Sequence, residues 1–123
     1  MNNNDTILAV GSIAIDTLET PNGSRENVLG GSATYFSIAA SYFGDVAIIG
    51  VVGEDFPSKY WNLYKKFNIN IDNVERKEGE TFRWGGKYSE DYDSRETLFT
   101  TLGVFENYSL VKVRRPYFLE EQL

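Results

Sequence analysis

VLGGSATYFSIAASYFG, residues 28–44, is the stretch on which the rest of the chain is organised. Gly30 and Gly31 interrupt an apolar run, and a small-residue helical pattern follows at once. A glycine pair lets the backbone turn tightly, or approach another atom without a Cβ in the way. Ser32 is placed to cap the helix that follows by accepting a bond from an early N–H. The unpaired N–H groups and positive dipole end of that helix would then make a donor-rich corner for hydroxyl or anionic groups. The same residues also describe a plain strand-to-helix turn. Within the helix, Phe36, Ala39, Ala40 and Phe43 fall at i, i+3, i+4, i+7 and predict an apolar face. Ala33, Ser37, Ala39, Ala40 and Ser41 would let it lie close on a sheet, and Gly44 is positioned as its stop.

On either side lie two β-branched apolar runs, TILAVGSIAI (6–15) and DVAIIGVVG (45–53). Each reads as a strand buried on both faces, because neither alternates. Strand, helix, strand is a βαβ unit, which implies a parallel sheet with a right-handed crossover. Between the first run and the glycines, Pro21-Asn22-Gly23 predicts a turn, so that 15–19 and 25–29 pair as a hairpin. Downstream, residues 58–67 predict a second helix with Tyr60, Leu63, Tyr64 and Phe67 on one face. Residues 68–74 alternate as a short strand or extended link. The last third changes character: 81–89 places Phe82, Trp84, Gly86 and Tyr88 on one face, and 95–102 is again strand-like. These two read as an antiparallel pair outside the βαβ body, an aromatic flap or an edge hairpin. After Ser109 no period is evident.

Composition narrows the chemistry. The 123 residues make roughly one small domain, with a net charge of −6 and only one basic cluster, KVRR at 112–115. Nucleic acid and anionic membrane are therefore not expected as partners. With no cysteine and no histidine, thiol chemistry, Ser-His and Cys-His nucleophiles and the commonest transition-metal ligand are excluded within the sequence. No metal ligands are expected; Glu90, Asp91 and Asp93 lack the spacing of a calcium loop. The start, MNNND, has no basic n-region and no apolar run spans a membrane, so a cytoplasmic location is expected. A dinucleotide fold is disfavoured, since the pattern is Gly-Gly rather than Gly-x-Gly-x-x-Gly and an insert separates it from the first strand.

Taken together, ILAVGSIAID, LGGSATYFSIAASYFG and IIGVVGEDFP, followed by the two late strands, resemble the N-terminal part of the PfkB, or ribokinase-like, carbohydrate and nucleoside kinase family. The resemblance runs from about Ile7 to Asn107. It implies an α/β, partial ribokinase-like fold: βαβ units of a mostly parallel sheet plus a small antiparallel β lid, with lid strands at about 14–29 and 81–102. Residues 1–109 would form this part of a kinase domain. By resemblance, Asp16 accepts hydrogen bonds from two substrate hydroxyls, Gly30 and Gly31 let the substrate near the backbone, and Ser32 and Tyr35 join the substrate site. Phe82, Trp84 and Phe99 would belong to the lid, whose closure excludes water from phosphoryl transfer. Tyr35 stands where many members carry asparagine, which leaves the identity of the sugar or nucleoside open.

The family's ATP site and catalytic aspartate lie in a Gly-Ala-Gly-Asp type motif, which does not occur in this sequence. ATP and Mg2+ are thus implied for a full-length relative, and neither is expected to bind this chain alone. No catalytic residue is assigned, and the expectation is a chain that binds a sugar or nucleoside at best. The irregular stretch 110–123 reads as a divergent tail of the kind a frameshift or premature stop produces. Two alternatives stand beside this: a non-catalytic module that binds a sugar or pairs with a second copy through its lid strands, and a decayed product that folds poorly.

Overall fold

The computed structural model describes residues 5–108, which form two sheets and two helices. Strands β1 (Thr6–Val10), β4 (Asp45–Gly53) and β5 (Ile69–Lys77) make a parallel sheet in the order β1-β4-β5. Strands β2 (Ala14–Thr20), β3 (Gly23–Gly30), β6 (Phe82–Tyr88) and β7 (Arg95–Thr101) make the other, in the order β3-β2-β6-β7. Helix α1 (Ser32–Ala40) crosses from β3 to β4, and α2 (Ser58–Lys66) from β4 to β5.

The central strand β4 is buried from Val46 to Gly53, as a strand covered on both faces must be. Its side chains Val46, Ile48 and Val52 pack with Ala9, Ile13, Phe56, Tyr64 and Ile69 in one apolar cluster. The run 6–15, expected as one strand, is two. It leaves the parallel sheet after Val10 and re-enters as β2 of the second sheet. Ile13, fully buried, makes the crossing; its Cδ1 lies 2.8 Å from where a Cβ on Gly50 would stand. Of this run only Ala9 and residues 13–15 are fully buried, yet the apolar run continues across the change of sheet and hides the break from periodicity.

The βαβ order and the β2–β3 hairpin are as expected, with Thr20 Oγ1 donating to the Gly23 carbonyl (2.9 Å) across the turn. The small β sheet is mixed rather than antiparallel. β2 and β3, and β6 and β7, are antiparallel pairs, but β2 and β6 run parallel, from Ala14↔Phe82 to Glu19↔Lys87. Two hairpins distant in sequence thereby join into one sheet.

Helix α1 corrects the expected apolar face. Ala33, Thr34, Ser37 and Ala40 are buried, whereas Phe36 and Phe43 are exposed. Small side chains let the helix lie close on the sheet, and the two buried hydroxyls are satisfied. Ser37 Oγ donates to the Ala33 carbonyl (2.5 Å), and Thr34 Oγ1 bonds the Tyr64 hydroxyl of α2 at 2.7 Å. Burial pushes the Tyr64 phenol up to about 12, against the opposing Thr34 hydrogen bond. The helix ends at Ala40 with Ser41 as its cap, so Gly44 lies beyond the stop. Helix α2 does bury the predicted face: Tyr64 is fully buried, and Tyr60, Leu63 and Phe67 pack against the core.

A polar junction fastens the sheets together. Thr81 donates from both N (2.9 Å) and Oγ1 (2.6 Å) to Asp55 Oδ1, and its Oγ1 accepts from Gly53 N (2.9 Å). Arg83 bonds Asp55 Oδ2 (3.1 Å), Glu80 Oε1 (3.1 Å) and Asn27 Oδ1 (3.0 Å). The divergent tail expected at 110–123 lies outside the described residues.

Candidate functional site

A cleft of about 360 Å³ opens between α1, the β1–β2 crossing and the second sheet. That is within the range of small-molecule sites. Ser12, Asp16, Gly31 and Ser32 line it on one side, and Phe82, Trp84 and Tyr88 of β6 on another, with Tyr35 and Arg95 also at its wall.

Asp16 is the electrostatic centre of the cleft. It sits in β2 opposite Val28 of β3 and Trp84 of β6, and is only 5% exposed. Its buried Oδ1 has no hydrogen-bond partner among the described residues. Burial pushes its carboxyl up to about 6, since desolvation penalises the charged form. A buried carboxylate oxygen without a donor is costly, and a ligand hydroxyl would supply one.

The glycine pair acts on both the carboxylate and the turn. A Cβ on Gly30 would collide with Asp16 Oδ2, so Gly30 leaves room for the carboxylate rather than lining the cleft. Gly31 has φ 93°, and a Cβ there would meet the Ser12 carbonyl oxygen. This left-handed backbone and close crossing admit only glycine readily.

The expected donor-rich corner is largely closed. Gly31, not Ser32, is the N-cap, and it has no side chain with which to cap the helix. Ser32 N donates to Ser12 Oγ (3.1 Å) and Ala33 N to the Ser12 carbonyl (3.0 Å). The crossing strand thus satisfies the helix's first donors, leaving the Ser12 and Ser32 hydroxyls, 3.3 Å apart, at the cleft wall.

Tyr35, 58% exposed, has its phenol raised by burial, then by the negative charge of Asp16 and by Tyr88. Phe82 and Trp84 line the cleft as the alternation of 81–89 predicts. Phe99 does not. Its ring lies where a Cβ on Gly85 would stand, and Gly85 alternates with Trp84 onto the opposite face of β6. Five lining residues, Ser12, Ala14, Leu18, Tyr88 and Arg95, are not among the expected site residues. Ser12 was hidden inside an apolar run. Arg95 reads in the sequence only as the start of a strand. Tyr88 was legible, since it shares the Phe82–Trp84 face.

Asp55, in the junction, shows the opposite titration. Burial raises its carboxyl, but the hydrogen bonds from Thr81 and the Arg83 guanidinium outweigh this and hold it below the usual range. Among the described residues no group of three or more His, Cys, Asp or Glu is placed to hold a metal ion. No helix among them is long and apolar enough to cross a membrane.

No protein-family model matches the chain. A curated relative, the cytidine kinase of Thermococcus kodakarensis, is 31% identical over 86 residues, which are 69% of this chain and 31% of that protein. The crystal structure of the Methanocaldococcus jannaschii nucleoside kinase, an archaeal member of the ribokinase family, matches at 26% identity with a TM-score of 0.67 over 80% of this chain and 37% of its own. A ribokinase of Cryptococcus neoformans in complex with ADP shares the fold, with a TM-score of 0.69 at 17% identity over 92% of this chain and 40% of its own. The chain spans about a third of the length of the curated relative.

Proposed function

The chain carries the N-terminal part of the ribokinase-family (PfkB) fold, and from that premise we propose that it binds the hydroxyls of a sugar or nucleoside in the cleft over Asp16. The observation that supports this reading is that Asp16 lines the cleft and carries a buried Oδ1 with no hydrogen-bond partner among the described residues. A carboxylate accepts from two vicinal hydroxyls at once, and each such bond is charge-assisted. The Ser12 and Ser32 hydroxyls supplement it, and Gly31 keeps the wall thin. The second sheet, with Phe82 and Trp84, acts as the lid over the ligand.

In a complete kinase of this family ATP and Mg2+ would supply the phosphoryl group and its charge stabilisation. The described residues provide the acceptor-binding side of such a site, so the activity expected of this chain is binding without transfer. Residues 1–109 are proposed to act as this one substrate-and-lid unit.

Calorimetric titration of ribose and cytidine into the purified chain tests the proposal. Saturable binding that weakens about tenfold or more in Asp16→Asn is expected, in line with a lost charge-assisted bond. Equal affinity of the two proteins for both ligands overturns it. Turnover of ATP in a coupled assay with a sugar and nucleoside panel would overturn the absence of transfer.

A second reading rests on β7. All seven of its residues are exposed, including Leu98 and Phe99, and among the described residues it ends the second sheet with an unpaired edge. Such an edge favours pairing with a second copy of the chain. A strict monomer by light scattering up to high concentration would remove this reading.

A further inference from the structure

The cleft has two chemically different ends. Asp16 with the Ser12 and Ser32 hydroxyls forms a polar end, while the β6 side offers rings. Among the rings lies one cation. Arg95, the first residue of β7, pairs in register with Tyr88, and its guanidinium stands 5.2 Å from the Trp84 ring centroid. No carboxylate pairs with it among the described residues; the ion pairs there all belong to Arg83. The Trp84 ring folds onto Gly86, where a Cβ would collide with its Cη2. Glycine backbone, indole and guanidinium therefore crowd together, and Arg95 contributes to the cleft surface.

Asp16 and Trp84 are direct neighbours across β2 and β6. A ligand whose hydroxylated ring sits on Asp16 therefore meets this stack with whatever group it carries next. A bare pentose has no flat ring to lay on a stack of indole and guanidinium. A flat, heteroaromatic substituent extends the stack, because guanidinium planes and aromatic rings both stack on bases. We infer that Arg95 and Trp84 form a second subsite that stacks a nucleobase, with Arg95 as the specificity-determining residue that favours a nucleoside over a free sugar. This rests on the polyol reading of the Asp16 end.

The test is binding of ribose, cytidine and ribonate, the corresponding sugar acid, to the full chain. The proteins compared are wild type, Arg95→Ala, Arg95→Lys and Asp16→Asn. Thermal melts confirm that each variant folds; Arg95 is an exposed edge residue, so its loss leaves the fold intact. Cytidine is expected to bind about tenfold tighter than ribose to the wild type, the scale of one stacked base. Arg95→Ala should bring that ratio close to one. Arg95→Lys, which keeps the charge and loses the plane, should leave it well below the wild-type ratio. Asp16→Asn should weaken both ligands together. In a Trp61→Phe background, Trp84 is the remaining indole, and its fluorescence should respond to cytidine and not to ribose. An unchanged cytidine-to-ribose ratio in Arg95→Ala overturns the subsite, while a loss in Asp16→Asn leaves the polyol site standing. Tightest binding of ribonate, lost in Arg95→Ala, overturns it in favour of an anion site. Failure of all three ligands to bind overturns both readings.

Discussion

The cleft and the junction between the sheets each centre on one aspartate, and the two carboxylates are treated in opposite ways. Asp55 receives the Thr81 amide and hydroxyl on Oδ1 and the Arg83 guanidinium on Oδ2. Asp16 is more deeply buried, yet its Oδ1 receives nothing. The same functional group thus serves structure where its partners come from within the chain. It stands available to a ligand where they are withheld. The titration follows: Asp55 is held below the usual range despite its burial, and Asp16 is raised to about 6.

The comparison can be broken hardest at Gly31, the glycine that lets the chain cross close to Ser12 beside the cleft. Gly31→Ala puts a side chain at φ 93° and against the Ser12 carbonyl. Unfavourable backbone and steric overlap together should destabilise the fold by about 3 kcal/mol. At roughly 4 °C per kcal/mol this is a Tm loss above 10 °C, and an unchanged melt would show that the crossing relaxes freely.

Next is Asp55→Ala, which strips partners from the Thr81 amide and from Arg83. A loss of about 2 kcal/mol in urea unfolding is expected, because a buried donor is left unsatisfied. A change within error would mean that the junction is not what fastens the sheets.

Asp16→Asn should do the reverse. It removes the desolvation penalty of a buried charge, and should raise stability at pH 7 by about 1–2 kcal/mol while reducing ligand binding. If the variant is less stable than wild type at pH 7, the buried carboxylate has a partner within the chain after all.

The pH profile sharpens the contrast with the smallest signal. The folded chain holds the Asp16 proton up to about 6, whereas the unfolded chain releases it near 3.8. The Asp16 penalty is therefore complete above about 6, and is relieved as pH falls from there towards 3.8. The Asp55 contribution has the other sign: complete above 3.8, and lost as pH falls through its lowered folded value. The stability difference between wild type and Asp16→Asn should shrink between pH 7 and pH 4. A difference flat across that window would mean that Asp16 titrates normally.

Much of the architecture was legible in local pattern. β4 appeared at its true bounds because a strand covered on both faces is a run of β-branched residues ending in glycine. The hairpin appeared because Pro21-Asn22-Gly23 has few other conformations. Helix α2 showed its buried face because its large apolar residues mark it. Helix α1 did not, because its contact face is made of alanine, serine and threonine while aromatic rings stand outside. Periodicity weighs hydrophobicity, and close packing here selects small volume instead.

The sequence by itself determined the βαβ order and the need for Gly30 and Gly31, since these depend on backbone geometry and on residue type within short stretches, whereas Asp16 became a candidate only through the resemblance of the surrounding motifs to the PfkB family. Only the tertiary structure decided where the first apolar run changes sheets and that β2 lies parallel to β6. It likewise closed the α1 amides against Ser12, turned Phe99 away from the cleft, and brought Arg95 over Trp84. Each of those outcomes depends on contacts between segments far apart in the chain. Whether a carboxylate ends with three partners or none is a property of what folds against it, and no local pattern encodes that.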